Sequence, residues 1–320
     1  MDATLRGELP PPEWASHPPS ADPLIESRLR VLLQVAERHH APMSLDQLVA
    51  HLPAGATWTT DRVVLWVDGH PDSGHVVAGH VMPPREIPVP ELADRASRSE
   101  SLYAEAEWAV RAPLRSAVRL TRCLGVSGSV AYGFAAPNDD LDFFVTTRRG
   151  TTWLFLFLAF ASYRLVRRRA HPPGPSHWCF NYVVDEAEVA EEFARPGGLL
   201  MAREALTVRM LRGEAYYRSL LREASWMGEE LPNVYARRRG PGTDPEPLEA
   251  GVGVLVRAAN LLLFPLLATY LQLTGLVRNH RLRRYAPEKQ FGTTTTVRRF
   301  MLRSLRFAEL ERIYREETSG

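Results

Sequence analysis

The chain is almost without lysine. Its 320 residues include one, Lys289, so nearly all of its 39 basic side chains are arginines. A phosphate-binding loop that places a lysine beside its glycines is therefore excluded, and a Schiff-base lysine has one position left to occupy. Any grip on phosphate must come from guanidinium forks, backbone N–H groups or hydroxyls. Cysteine is nearly as scarce. Cys123 and Cys179 stand far apart, with no partner at zinc-ligand spacing, which argues against a disulfide framework and a structural zinc site. Net charge is almost nil, 39 − 37 = +2, so no general attraction to nucleic acid is expected. The N-terminus lacks a basic-then-apolar leader pattern, and the cytoplasm is the expected location. Two apolar segments are read as buried core helices, too short to span a bilayer: 151–168, with its unbroken run Trp153–Ala161, and 252–277, interrupted by Arg257, Asn260 and Pro265. The basic cluster Arg278, Arg281, Arg283 and Arg284 leaves peripheral contact with anionic head groups or RNA open.

What is present is a globular composition, 45% hydrophobic and 24% charged, enough for about two domains. Residues 1–23, with Pro10-Pro11-Pro12 and Pro18-Pro19, read as a loose tail. Over 24–92, three short helices are expected, the second capped by Ser44 and the third begun by Thr59 or Thr60. A small ribbon follows at Val76-Val77 and Val81-Met82. This order resembles a winged-helix domain. Between Ile25 and Arg85, however, five arginines face six acids, a net of 5 − 6 = −1. That balance suits a partner-docking or sensing module better than a DNA reader. A charged helix over 93–117, with Leu102, Ala106, Trp108 and Ala109 inward, leads to strands at 118–126, 140–145 and 177–184. From 186 onward the pattern is mostly helical, broken by an Arg/Gly/Pro linker at 237–247. Boundaries are placed at 93–195 for an α/β core and 196–320 for a helical C-terminal domain, an α+β chain as a whole.

The chemistry-bearing stretch is Gly125-Val-Ser-Gly-Ser-Val-Ala-Tyr-Gly-Phe-Ala-Ala-Pro-Asn-Asp-Asp-Leu-Asp-Phe-Phe-Val145. A strand runs into Gly128-Ser129 at a helix start. Asp140 and Asp142 then follow on the next strand, where residues two apart share a face. Two carboxylates held together call for a cation, and Mg²⁺ is the hard ion that takes one or two carboxylates plus substrate phosphates. The glycine permits close backbone approach, while the helix start and the Ser129 hydroxyl can hold phosphate oxygens.

At Gly128, Ser129, Asp140 and Asp142 the chain resembles the DNA polymerase beta-like nucleotidyltransferase superfamily, and the fuller Gly128-to-Gly133 stretch looks like its small bacterial members. The resemblance covers about 118–185. It implies that superfamily's α/β core, an NTP donor, with ATP foremost, and Mg²⁺ on Asp140 and Asp142. Arg148 is a further candidate for phosphate. A third carboxylate is expected on the later strand, where Asn181 stands instead; Asn181 can ligate but cannot accept a proton, and Asp185 at the strand end is the alternative. The implied activity is transfer of a nucleoside monophosphate to a hydroxyl acceptor. The rival reading is a non-catalytic nucleotide-binding protein acting through its N-terminal module.

Overall fold

The computed structural model describes residues 23–38, 42–53, 58–82, 89–169, 176–241, 252–285, 290–305, 308–309 and 311–312. The expected tail lies outside these residues except for Pro23, which opens the first helix. Lys289 and Pro83-Pro84 also lie outside them.

The chain begins with α1 (Pro23–Arg38), β1 (Met43–Ser44), α2 (Leu45–Ala50) and α3 (Thr60–Asp68), followed by β2 (His75–Val77) and β3 (His80–Met82). Local chemistry fixes these helix starts. Ser44 and Gln47 form a reciprocal capping box on α2, and Thr59 accepts from the Arg62 N–H at the start of α3. The three short strands form an antiparallel sheet in the order β1-β3-β2.

Next come α4 (Val89–Arg111), α5 (Arg115–Val118), β4 (Thr121–Val126), α6 (Gly128–Tyr132), β5 (Leu141–Thr147), α7 (Thr152–Arg169) and β6 (Trp178–Asp185). They are followed by α8 (Glu186–Ala194), α9 (Gly198–Thr207), β7 (Arg209–Arg212), α10 (Glu214–Glu223), α11 (Trp226–Glu230), α12 (Pro232–Arg239), α13 (Val254–Tyr285), β8 (Phe291–Thr296) and β9 (Arg299–Ser304). The architecture is α+β. A six-stranded sheet in the order β7-β4-β5-β6-β9-β8 carries helices on both faces, and only the β5–β6 pair is parallel.

Several expectations need correction. The C-terminal region is not wholly helical, because β7, β8 and β9 complete the central sheet. The β8–β9 hairpin carries the sequence Phe-Gly-Thr-Thr-Thr-Thr before its turn; its β-branched run is a strand signal that the neighbouring helical pattern masked, and in the structure its burial alternates residue by residue. The N-terminal helices pack onto the rest of the chain. Leu29, Leu32, Val63 and Trp66 share one hydrophobic cluster with Phe144 of the sheet and with Leu200, Tyr217 and Trp226. Arg28 adds a bridge to Glu230. The stretch Arg237–Arg239 is the last turn of α12, ended at Gly240 with φ +63°, and not linker. Residues 115–118 are helical, so the first strand of the core starts at Thr121. Trp108 is exposed, because it lies off the face that Leu102, Ala106 and Ala109 share at helical spacing.

The two apolar helices have different fates. α7 buries Trp153, Phe155, Leu156, Ala159 and Tyr163 in the core on the second face of the sheet. α13 does not become a core helix. Over its 32 residues only Asn260 and Ala268 are buried. The expectation that both segments are too short to span also fails, since α13 is long and apolar enough, by length and composition alone, to cross a membrane. Asn260 misled the reading. Its Oδ1 accepts from the backbone N–H groups of Trp153 (2.7 Å) and Leu154 (3.2 Å), so it caps α7 and does not interrupt α13.

Candidate functional site

β4 ends in the turn that opens α6, and the turn is stitched to the next strand by Ser127 N–H donating to the Asp142 carbonyl at 3.0 Å. Gly128 sits at φ +67°, a region costly to residues with a Cβ. A Cβ there would lie 2.8 Å from Asp142 Oδ2. The glycine is thus demanded twice, by its backbone conformation and by the carboxylate packed against it. The turn and the second aspartate are a single unit. Gly133, at φ +83°, closes the five-residue α6.

Across from β5, β6 supplies a row of polar side chains. The register pairs Asp142 with Cys179 and then Phe144 with Tyr182, so β6 carries one extra residue between these pairs. This bulge turns Asn181 toward the aspartates, a familiar role for such irregularities near functional sites. Asn181 Nδ2 donates to Asp142 Oδ1 at 2.6 Å. Asp140 meets the start of the same strand: its Oδ1 is 3.3 Å from His177 Nδ1, and its Oδ2 accepts from the Cys179 thiol at 3.2 Å.

Electrostatics separates the two aspartates. Asp142 is driven up from 3.8 to about 7, first by burial and then by the negative charges of Asp140, Glu204 and Asp139. Asp140 is held below its ordinary value, chiefly by its hydrogen bond to His177, whose own value rises in return. Burial and both aspartates keep the Cys179 thiol protonated. Glu204 is raised by burial and accepts from the Tyr132 hydroxyl at 2.6 Å. Arg203 lies over the Tyr132 ring, 4.1 Å from its centroid.

These groups open into a cleft of ≈ 2210 Å³ whose walls include Gly128, Ser129, Asp140, Asp142, Asn181 and Glu204. Arg203 also lines it, as does Arg299, whose guanidinium is paired with Glu188 and Glu192.

Not every candidate belongs to this cleft. Asp185 is fully buried at the far end of β6. One of its oxygens caps α8 by accepting from Ala187 N–H at 2.9 Å, and the other accepts from Gly150 N–H at 2.5 Å. It pairs in register with Thr147, not Asp142, which sets it roughly 16–20 Å along the strand from Asp142 and farther from Asp140. Its role is to hold the β5–α7 turn and the start of α8. Arg148 stands in that same distant turn and does not line the cleft.

Cys179, Tyr132 and Arg203 were not legible as site residues in the sequence. Their signal is positional: Cys179 needs the β5–β6 register, while Tyr132 and Arg203 need the packing of α9 beside α6.

The residues present fit a hard divalent cation. Asp142 is a half-buried carboxylate that accepts from Asn181 on one oxygen and faces the negative charges of Asp140, Glu204 and Asp139, and a cation between Asp140 and Asp142 would relieve that repulsion. Asp140, His177 and Cys179 also bring one ligand atom each within 4.8 Å of one another, a softer donor set at the rim. Compared with protein-family models, curated proteins and solved structures, the chain matches none.

Proposed function

We propose that the chain is a Mg²⁺-dependent nucleotidyltransferase, moving a nucleoside monophosphate from an NTP, with ATP foremost, to a hydroxyl acceptor. On this reading the core is that of the DNA polymerase beta-like superfamily and the N-terminal unit is winged-helix-like. The observation that carries it is the joint made by Gly128 and Asp142: a positive-φ glycine seated against a half-buried carboxylate that Asn181 holds by one oxygen and that faces the negative charges of Asp140, Glu204 and Asp139.

Asp140 and Asp142 would hold Mg²⁺, which when bound supplies positive charge against the triphosphate and polarises the reacting phosphoryl group. The chain's own residues do the rest. The Gly128–Ser129 turn offers backbone N–H groups and a hydroxyl to phosphate oxygens. Asn181 fixes the Asp142 carboxylate through Oδ1 and leaves Oδ2 beside Gly128. Arg203 adds a guanidinium along the cleft wall.

One observation favours a second reading, nucleotide binding without turnover. Asn181 stands where a proton-accepting carboxylate is expected, and its amide already donates to Asp142. Thermal shift with each NTP, with and without Mg²⁺, followed by a pyrophosphate-release assay, separates the two. A Mg²⁺-dependent shift with pyrophosphate release supports the transferase, and a shift without release supports the binding protein. Absence of any shift refutes both.

A further inference from the structure

α7 and α13 run side by side in the same direction. Asn260 meets the start of α7, and farther along Arg164 donates to the Tyr270 hydroxyl at 3.1 Å. Neither helix contains an acidic residue. Their C-terminal ends, lying at one end of the pair, carry Arg167, Arg168 and Arg169 on α7 and Arg278, Arg281, Arg283 and Arg284 on α13. Seven arginines are therefore gathered there in a protein whose overall charge is nearly balanced, with Arg278 also lying over the Phe291 ring and close enough to lower the pKa of Asp140.

The inner face of α13 is committed to the protein. Leu263, Phe264, Leu267 and Leu271 pack on the core beneath. Gln272 Nε2 donates to Thr295 Oγ1 at 2.5 Å. Asn279 is held from both sides, donating to the Phe291 carbonyl at 2.7 Å and accepting from its N–H at 3.1 Å. The outer face is uncovered. Leu255 is 85% exposed, Leu262 73%, Leu266 69% and Leu276 66%, and Leu273 lies on the same stripe at spacings of three, four and seven. A contiguous apolar stripe of this size on a soluble surface calls for an occupant. Toward its basic end the stripe widens into a shallow groove of ≈ 490 Å³, lined by Leu273, Thr274, Val277, Arg278, Arg281 and Leu282. An apolar floor between two guanidinium groups matches an acyl chain beneath an anionic head group.

We propose that the outer face of α13 binds bilayers containing anionic phospholipid, with the helix lying in the plane of the head groups. Charge complementarity selects this occupant. A second copy of the chain would bring the same arginines and no acids from these helices, whereas an anionic leaflet supplies the missing negative charge. The in-plane orientation follows from the anchors. Contacts at Asn260, Tyr270, Gln272 and Asn279 tie α13 to the domain over roughly 29 Å of its length, and a spanning helix would have to break them. The outer stripe would sink into the head-group and acyl boundary. The proposal does not depend on the nucleotide reading.

The test is flotation of the purified 320-residue chain with phosphatidylcholine vesicles and with vesicles of phosphatidylcholine and phosphatidylglycerol, at low and high salt. The protein should float with the anionic vesicles, and less so as salt rises. Arg281→Glu with Arg284→Glu should weaken partitioning at least ~25-fold, taking roughly fivefold for each charge near the surface. Leu262→Asp with Leu266→Asp should abolish flotation. Both double variants should melt with the wild type, since all four side chains are exposed. No flotation of the wild type overturns the proposal. Equal binding to both vesicle types overturns the choice of anionic lipid, and wild-type protein that resists alkaline carbonate extraction overturns the in-plane orientation. A wild type that ignores vesicles yet dimerises, with monomers restored by Leu262→Asp, would assign the stripe to a second copy and refute the proposal.

Discussion

Replacing Asp142 with asparagine should stabilise the protein in the absence of divalent cations, and the gain should depend on pH. Asp142 is raised from 3.8 to about 7. Between those values the folded chain binds the proton more tightly than the unfolded chain, so stability falls as pH rises through that window. At about 1.4 kcal/mol per pH unit, the full cost above pH ~7 is about 4 kcal/mol, and at pH ~5 it is only about 1.6 kcal/mol. Asparagine removes the charge and keeps an oxygen for the Asn181 amide. Its own NH₂ must then find a partner beside Gly128, so about half of the 4 kcal/mol should be recovered. At roughly 2 °C per kcal/mol for a chain of this size, Asp142→Asn should raise the melting temperature by roughly 4 °C at pH ~8, while at pH ~5 the same amide penalty of about 2 kcal/mol offsets the smaller relief of about 1.6 kcal/mol and the melting temperature should hardly change. Differential scanning fluorimetry of both proteins in buffers with chelator reads this directly, and titrating groups distant from Asp142 cancel in the difference. Added Mg²⁺ should then raise the melting temperature of the wild type and leave the variant unchanged. A variant no more stable than the wild type at high pH would refute the reasoning, as would a gain of equal size at both pH values.

The same raised carboxyl makes Mg²⁺ compete with a proton, so Mg²⁺ affinity measured by calorimetry should climb as pH rises through about 7 and flatten above it. Ser129→Ala should weaken NTP binding by about 1.5–3 kcal/mol, one hydrogen bond to a charged oxygen, with little change in melting temperature. Gly128→Val should lower the melting temperature as well as abolish binding, because its Cβ would fall 2.8 Å from Asp142 Oδ2 at φ +67°; a Gly128→Val variant as stable as the wild type would remove the glycine–aspartate joint. Asp185→Ala should destabilise by about 1–2 kcal/mol through the lost cap of α8, while nucleotide affinity measured by titration stays unchanged.

The sequence determined the parts of this protein that local chemistry fixes. Ser44 and Thr59 begin helices because their side chains satisfy orphan N–H groups within the same turn. Gly128-Ser129 before a helix, and Asp140 and Asp142 two apart at a strand start, are legible because each depends on a few neighbouring residues. Tertiary structure alone decided the rest. Asn181 and Asp185 stand four residues apart on one strand and were interchangeable on paper; the β6 bulge turned the first toward Asp142, while the parallel register carried the second out of reach. The Thr-rich hairpin joined the central sheet because β6 offered it an edge more than a hundred residues away in sequence. α7 and α13 have similar apolar composition, yet one became core and the other surface. Burial depends on which elements arrive to cover a helix, and composition records only that covering would be favourable.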